Sequence, residues 1–412
     1  MNQDKDNKTQ NGTKPLDGIR VLEYGIFHAG PGASAILSDL GAEVIKIETK
    51  AGDPLRGWVD AGNISFQLPH DRNLMFDYSN RGKRGIILDI GQEKGRNIFN
   101  QLLKDSDVFV TNLRKSTKIK KGLDYTKISE INPKIIYASV SGFGPEGPVC
   151  DMGAYDPLGQ AKSGMMFAAN SMMPSLIHLA VLDQSTAIAA SHAILTALLA
   201  RERFGTGQEV HVSLYSTGIW LMSANIMANS LARFGTLSGV LDREHNSPLR
   251  NCFCSKDGKW VMGVHHPPER YWEPLCRAAG QEHLIDDSRF CDEEKRRENC
   301  AELVEIFDKV FATKMLDEWM ELFVEHGLMF CPIQNFEDVL VDPQALENEY
   351  ITDFQHPDLG NIKIPGYPVH FSDYSAGMDK TAPTLGEHTD EILQEMGFSD
   401  KEIQNLREEK VI

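Results

Sequence analysis

In the first third of the chain, apolar residues come in short β-branched runs, and the stretches between those runs carry apolar positions at helical spacing. Residues 20–24, 43–48, 85–89, 107–111 and 134–140 read as strands, and 33–40 and 93–103 as helices. Strand and helix in alternation build a mainly parallel sheet with helices on its faces. The chain is therefore expected to be α/β with a Rossmann-like layout.

Further along, the alanine-rich stretch 185–203 predicts a long helix closed by Gly205 and Gly207. Residues 210–214 follow as a strand and 216–233 as another buried helix. From Phe234 the pattern changes. Residues 252–264 read as a hairpin around the turn pair Asp257-Gly258, and helices at 269–279 and 299–326 point to a smaller α+β domain. Two short polar helices, 390–396 and 400–409, end the chain. The expected organisation is a disordered tail at 1–14, a large domain at 15–233, a small domain at 234–340 and a C-terminal segment at 341–412.

Composition narrows the function classes. The 412 residues are 41% hydrophobic and 25% charged, an ordinary globular balance. A net charge of −17 speaks against nucleic-acid partners, since phosphate neutralisation needs a basic surface. No stretch approaches the roughly 20 apolar residues of a membrane span, and the polar start lacks the apolar segment of a secretory leader. No membrane partner and a cytoplasmic location are expected. The seven cysteines are scattered, so a disulfide framework is not anticipated. Cys252 and Cys254 form a C-x-C pair without a second ligand pair at zinc spacing, so they read as packed thiols and no metal is expected.

One run mimics a cofactor motif. Gly30-Pro31-Gly32-Ala33-Ser34-Ala35 fits G-x-G-x-x-A, and Glu48 closes the next strand, which keeps an NAD-dependent oxidoreductase as an alternative. That fingerprint should open directly after its strand, yet residues 25–29 intervene, and this demotes the reading. Basic residues gather twice in this acidic chain: Arg81, Lys83 and Arg84 before the third strand, then Arg114, Lys115, Lys118, Lys120 and Lys121 after the fourth. Segments leaving the carboxyl ends of parallel strands line the ligand crevice, so the second cluster suits a polyanion. The ordinary alternative is a solvated charged face.

Several stretches resemble the class III coenzyme A (CoA) transferase family, which includes formyl-CoA, carnitine and phenyllactate transferases and the acyl-CoA racemases. They are Pro15-Leu16-Asp17-Gly18-Ile19-Arg20-Val21-Leu22-Glu23, Ala29-Gly30-Pro31, Leu40-Gly41-Ala42-Glu43-Val44-Ile45-Lys46-Ile47-Glu48, Gly52-Asp53-Pro54-Leu55-Arg56, Asn80-Arg81-Gly82-Lys83-Arg84, Ser141-Gly142-Phe143-Gly144, Thr206-Gly207-Gln208-Glu209-Val210 and Leu385-Gly386-Glu387-His388-Thr389. The resemblance implies a large Rossmann-like domain made from both chain ends with the small domain between them, and two such chains interlocked as a dimer. Its CoA contacts carry over to Phe27, His28, Ala29, Asn112, Leu113 and Lys120, with Lys83 and Arg84 as phosphate partners. Where many relatives read Asn-Phe-Arg-Pro-Gly, this chain has Asn112-Leu113-Arg114-Lys115-Ser116.

The resemblance also implies an aspartate nucleophile that takes the acyl group from the thioester. The matching segment here, Asn170-Ser171-Met172-Met173-Pro174, has no acidic residue. Two arrangements remain. Either this chain is the non-catalytic subunit of a benzylsuccinate-type CoA-transferase, paired with a homologue that supplies the carboxylate, or the chain is self-sufficient through Asp156. The plain alternative for Asp156 is a capping carboxylate at its own helix start, before Pro157. Asp183 is expected to cap the long helix, and His265-His266 to sit in an exposed loop. Met165, Met166, Met172 and Met173 bracket the substrate position as core or as a pliable acyl pocket. The expected function is transfer of CoA from an acyl-CoA such as succinyl-CoA to a carboxylic acid.

Overall fold

The computed structural model describes residues 14–169, 173–177, 179–231 and 243–412. The expected tail lies outside the described residues except for Lys14, whose ammonium pairs with Asp379 and approaches the Gly377 carbonyl at 3.3 Å. The chain divides into two compact units, Met1–Thr236 with Tyr350–Ile412, and Leu237–Glu349.

The first unit is built on six strands: β1 Arg20–Glu23, β2 Glu43–Glu48, β3 Arg84–Ile87, β4 Val108–Thr111, β5 Ile136–Ser141 and β6 Gln208–Ser213. All pair in parallel, in the order β6-β5-β4-β1-β2-β3. Successive side chains leave a strand on opposite faces. Val21, Val44, Val108 and Val110 therefore join one core with Leu37 and Ile194, while Leu22, Ile45 and Phe109 join another with Phe99, Leu102, Ile392 and Leu406. Burial on both faces explains why these strands read as apolar runs rather than as clean alternation. Helix α1 (Ala29–Asp39) begins four residues before the sequence pattern suggests. Pro31 sits in its first turn, where a missing N–H costs nothing, so the Gly-Pro-Gly run that reads as a loop is helical. The expected helix at 216–233 is two helices, Leu214–Leu221 and Ser223–Leu231.

The second unit has a three-stranded antiparallel sheet, Cys252–Cys254, Trp260–Gly263 and Phe330–Ile333. Its core is aromatic: Phe311 stacks on Trp319 at 4.8 Å, and Phe323 on Phe330 at 4.1 Å. His265 is not exposed, as expected from its loop position, but 5% accessible; it donates from Nδ1 to the Leu249 carbonyl (2.9 Å) and accepts at Nε2 from the Met329 amide (2.8 Å). Both ring nitrogens are thereby spent on holding loop backbone.

Beneath the carboxyl ends of β1 and β2 lies a buried ion network. Lys46 Nζ donates to Glu23 (2.8 Å), Asp53 (3.0 Å) and the Gly25 carbonyl (3.0 Å). Lys83 Nζ donates to the other Glu23 oxygen (2.6 Å), with the Pro31 carbonyl (2.8 Å), the Ser79 carbonyl (3.1 Å) and Asn80 Oδ1 (2.9 Å) also within reach. The side chains of Glu23, Lys46, Lys83 and Asp53 are solvent-free. Two cations face two anions, so the cluster is neutral as a whole. Burial alone would raise the Glu23 carboxyl, but the two lysines outweigh it and hold the group at about 2. Burial, aided by the Lys46 charge, pulls the Lys83 ammonium down to about 7, while the Glu23 and Asp53 carboxylates favour its charged form.

Breaking such a group by removing one partner leaves an uncompensated buried charge, at a cost of about 3–5 kcal/mol. Glu23→Gln is expected to lower the unfolding free energy, read from urea titration, by that amount, and adding Lys83→Met should recover part of the loss; a single variant as stable as the parent would contradict this. Because the folded Glu23 carboxyl titrates far below its ordinary 4.5, its stabilisation is complete above pH 4.5 and is lost as pH falls towards about 2. Denaturation series in that acid window, run on the parent and on Glu23→Gln, should converge only at the acid end.

Candidate functional site

Connections from β1 to β2 and from β4 to β5 run in opposite directions along the sheet, so a crevice opens where β1 and β4 leave it. The β1 exit carries Phe27 with φ +58°, a left-handed conformation that a bulky residue adopts only when its surroundings enforce it. They do so from two sides. The Phe27 amide donates to Asp53 Oδ1 (3.0 Å), and Asn112 clamps the preceding residue, accepting from the Ile26 amide (2.9 Å) and donating to its carbonyl (2.6 Å). A Cβ on Gly30 would lie 3.0 Å from Asn112 Cβ, and one on Gly32 would lie 3.0 Å from Ala187 Cβ. The fingerprint-like glycines thus admit protein side chains rather than a pyrophosphate, and the nicotinamide alternative is corrected accordingly.

Phe27 and His28 line a cavity of about 750 Å3 whose wall is mostly apolar: Leu55, Trp58, Ile64, Phe66, Tyr155 and Ile177 contribute to it. Phe27 and Tyr155 meet edge to face at 5.1 Å. His28 is buried between Ser79 (Nδ1 to Oγ, 2.6 Å) and Gln184 (Nε2 to Oε1, 2.9 Å), and it stacks on Tyr78. Burial, aided by the charges of Arg81 and Lys83, pulls its pKa to about 4, so the ring is neutral at physiological pH. Ala29 opens α1 and is buried in the core behind this wall.

Two carboxylates reach the cavity. Asp156 Oδ2 accepts from the amides of Leu182 (2.6 Å) and Asp183 (2.9 Å), and its other oxygen accepts from Gln160. It therefore caps the long helix α2 (Val181–Phe204) across 26 residues of chain, not its own helix as the sequence suggests. Asp183, expected to be that cap, lies inside the first turn instead. Among the described residues its carboxylate has no hydrogen-bond or ion-pair partner, and burial followed by the nearby Asp156 charge pushes it up to about 7. Leu179 and Ala180, just before the helix, hold left-handed φ values of +60° and +57° and also line the cavity. Ser171 and Met172 lie outside the described residues; Met173 is exposed, and Met165 belongs to the core.

A second recess, about 660 Å3 and open, is lined by Gly91, Gln92, Arg96, Thr117, Lys120 and Lys121. It lies past the carboxyl ends of β3 and β4, and Lys121 sits 6.0 Å from the Tyr24 ring at the end of β1. Lys120 is thus brought together with Arg96 and Lys121. Arg96 went unremarked because it sits on the polar side of an ordinary amphipathic helix, where sequence gives no signal. Leu113 is half-buried against the sheet core. Two cations move the other way: Lys83 is enclosed in the ion network, and Arg84 binds Glu43 (2.7 Å), Glu391 (2.9 Å) and Glu395 (2.8 Å). The Lys83 ammonium and both Nη atoms of Arg84 are thus engaged within the fold, while Arg84 Nε has no hydrogen-bond partner among the described residues.

Comparison with known proteins agrees with this geometry. The model of CoA-transferase family III matches residues 16–389. A cinnamoyl-CoA:phenyllactate CoA-transferase of Clostridium sporogenes is 30% identical over 98% of this chain and 98% of its own length. A human succinyl-CoA:glutarate CoA-transferase is 32% identical over 96% of this chain and 89% of its own. A solved CAIB/BAIF family protein from Brucella suis superposes with a TM-score of 0.82 at 29% identity, covering 94% of this chain and all of the other. The chain belongs to CoA-transferase family III, and it is a CoA-transferase.

Proposed function

We propose that the chain moves CoA from an acyl-CoA to an apolar monocarboxylic acid, aromatic or branched. The supporting observation is the charge of the apolar cavity. Among the described residues its only charged side chains are Asp156 and Asp183, both acidic, and no lysine or arginine lines it. A second carboxylate on the acyl group would meet like charge in a poorly hydrated wall, a juxtaposition that costs several kcal/mol. This narrows the donor: succinyl-CoA, reasonable from the sequence, fits the cavity less well than an aryl- or alkyl-acyl thioester. Comparing cinnamoyl-CoA plus phenyllactate with succinyl-CoA plus glutarate, the aromatic pair should give a kcat/KM at least about tenfold higher, each factor of ten being about 1.4 kcal/mol. Equal or better use of the dicarboxylic pair would refute the preference.

The cationic recess suits the phosphates of CoA, with Lys120, Lys121 and Arg96 as partners. Charge-assisted hydrogen bonds are worth about 1.5–3 kcal/mol each. Lys120→Ala combined with Lys121→Ala should therefore weaken CoA binding, read by calorimetry, by at least about tenfold and flatten its salt dependence. An unchanged dissociation constant would remove this assignment.

Pairing with a second chain, interlocked as in the family resemblance, is supported by helix α2 and the helices Leu214–Leu221 and Ser223–Leu231. Ile188, Leu199 and Phe204 of helix α2 are exposed, and Trp220 and Met227 follow at 80% and 62% exposure. The companion is a homologous subunit that supplies a carboxylate, as the sequence of 170–173 favours, or a second copy. Asp156 is not a strong candidate for the reacting group, because both its oxygens hold backbone or amide donors. Trp220→Glu should shift the light-scattering mass of the pure chain towards the monomer. Cysteines that form no disulfide among the described residues fit a reducing, cytoplasmic setting.

A further inference from the structure

We infer that Asp53 is a positioning residue: it fixes the separation of two walls of the apolar cavity and so sets which acyl groups fit there. The inference rests on the reading of that cavity as the acyl site. Phe27 and Leu55 both line the cavity, and Asp53 holds the backbone of each. Its Oδ1 accepts from the Phe27 amide and from the Leu55 amide, both at 3.0 Å. Phe27 belongs to the exit of β1, whereas Leu55 lies in the short turn Pro54–Gly57 that leads into Trp58. Two walls distant in sequence thus converge on one oxygen.

The carboxylate that holds them is itself held. Its Oδ2 accepts from Lys46 (3.0 Å), and the Asp53 amide donates to Glu48 Oε1 (2.8 Å). Glu48 receives Arg56 on both oxygens (2.9 and 2.7 Å), and that guanidinium lies 3.7 Å from the centre of the Phe76 ring. Asp53 is 2% exposed, so bulk water does not compete for its donors.

This arrangement shapes the cavity before a ligand arrives. Phe27 and Leu55 pack in one small apolar cluster with Phe76, but such packing is non-directional and lets a wall slide. Phe27 also holds a left-handed φ of +58°, a conformation it would leave if released. Without Oδ1, each ligand must order the Phe27 loop as it binds. A broad aryl group that touches both walls loses more from this than an acetyl group, which touches little. Selectivity among acyl groups is therefore the property that Asp53 controls.

A test must separate positioning from stability. Removing Asp53 alone would leave Lys46 short of a partner in the core. Lys46→Met is therefore combined with Asp53→Asn in one variant and with Asp53→Ala in another. Both leave Glu23 paired with Lys83, so the buried charge stays balanced. They differ in whether a side-chain oxygen faces the Phe27 and Leu55 amides. Cinnamoyl-CoA and acetyl-CoA share the carrier, so the ratio of their dissociation constants, from calorimetry on the full chain, reads the acyl cavity.

The parent should bind cinnamoyl-CoA at least about tenfold more tightly than acetyl-CoA. Lys46→Met with Asp53→Asn should keep that ratio, and Lys46→Met with Asp53→Ala should narrow it by at least about fivefold. Equal ratios in the two variants, kept or narrowed, overturn the inference and leave the acyl-site reading standing. A parent that binds both thioesters equally overturns both. If the Asp53→Ala variant does not fold, hydrogen exchange in the parent decides. Slow exchange at the Phe27 and Leu55 amides is expected, and exchange as fast as at the exposed Asn63 overturns the inference.

Discussion

Two ammonium groups buried beneath the exits of β1 and β2 organise everything above them. Lys46 joins the end of β1 to Asp53, and through Asp53 to the Phe27 amide, so a charge in the core dictates the backbone of a loop at the surface of the site. Lys83 joins the same Glu23 to the start of α1 and the end of the helix at Leu74–Asn80. Hydrophobic packing sets where the sheet lies, but it is non-directional and cannot aim a loop. Directional ion pairs in a dry interior can, and their desolvation cost is met only when every donor finds an acceptor. The left-handed Phe27 is the visible result.

The site follows from this frame in two recesses of opposite character. One gathers Arg96, Lys120 and Lys121 beside a single acidic residue, Glu93, past β3 and β4 in a chain that is strongly acidic overall, which concentrates a field favourable to an anion. The other is apolar, and its charges are negative. An acyl thioester has the same asymmetry, with phosphates at one end and an acyl group at the other. At the meeting point of β1 and β4, Asn112 clamps the Ile26 backbone from both its amide and its carbonyl.

Much of the fold was legible because parallel strands buried on both faces leave apolar runs that nothing else in the chain imitates. Strand β2 matched its expected limits residue for residue. The start of α1 was missed because Gly30-Pro31-Gly32 has the composition of a loop, and only the packing of Asn112 and Ala187 against those glycines explains why it is a helix. The site was less legible. A lysine run says nothing about which ammonium faces solvent, and Lys83 and Lys120 differ only in what surrounds them. Asp156 rather than Asp183 caps the long helix for a similar reason: capping across 26 residues depends on tertiary geometry, which no local pattern encodes. His265 reads as a loop histidine until the backbone it ties down is seen.

Under the proposed assignment of one recess to the carrier and the other to the acyl group, their separation has an evolutionary consequence. Residues such as Trp58, Ile64 and Ile177 can be exchanged to suit a new acid without touching Arg96, Lys120 or Lys121. Diversification of cargo can then proceed at constant grip on the handle, so a single scaffold can radiate into many substrate preferences by small steps, each intermediate still holding its common currency.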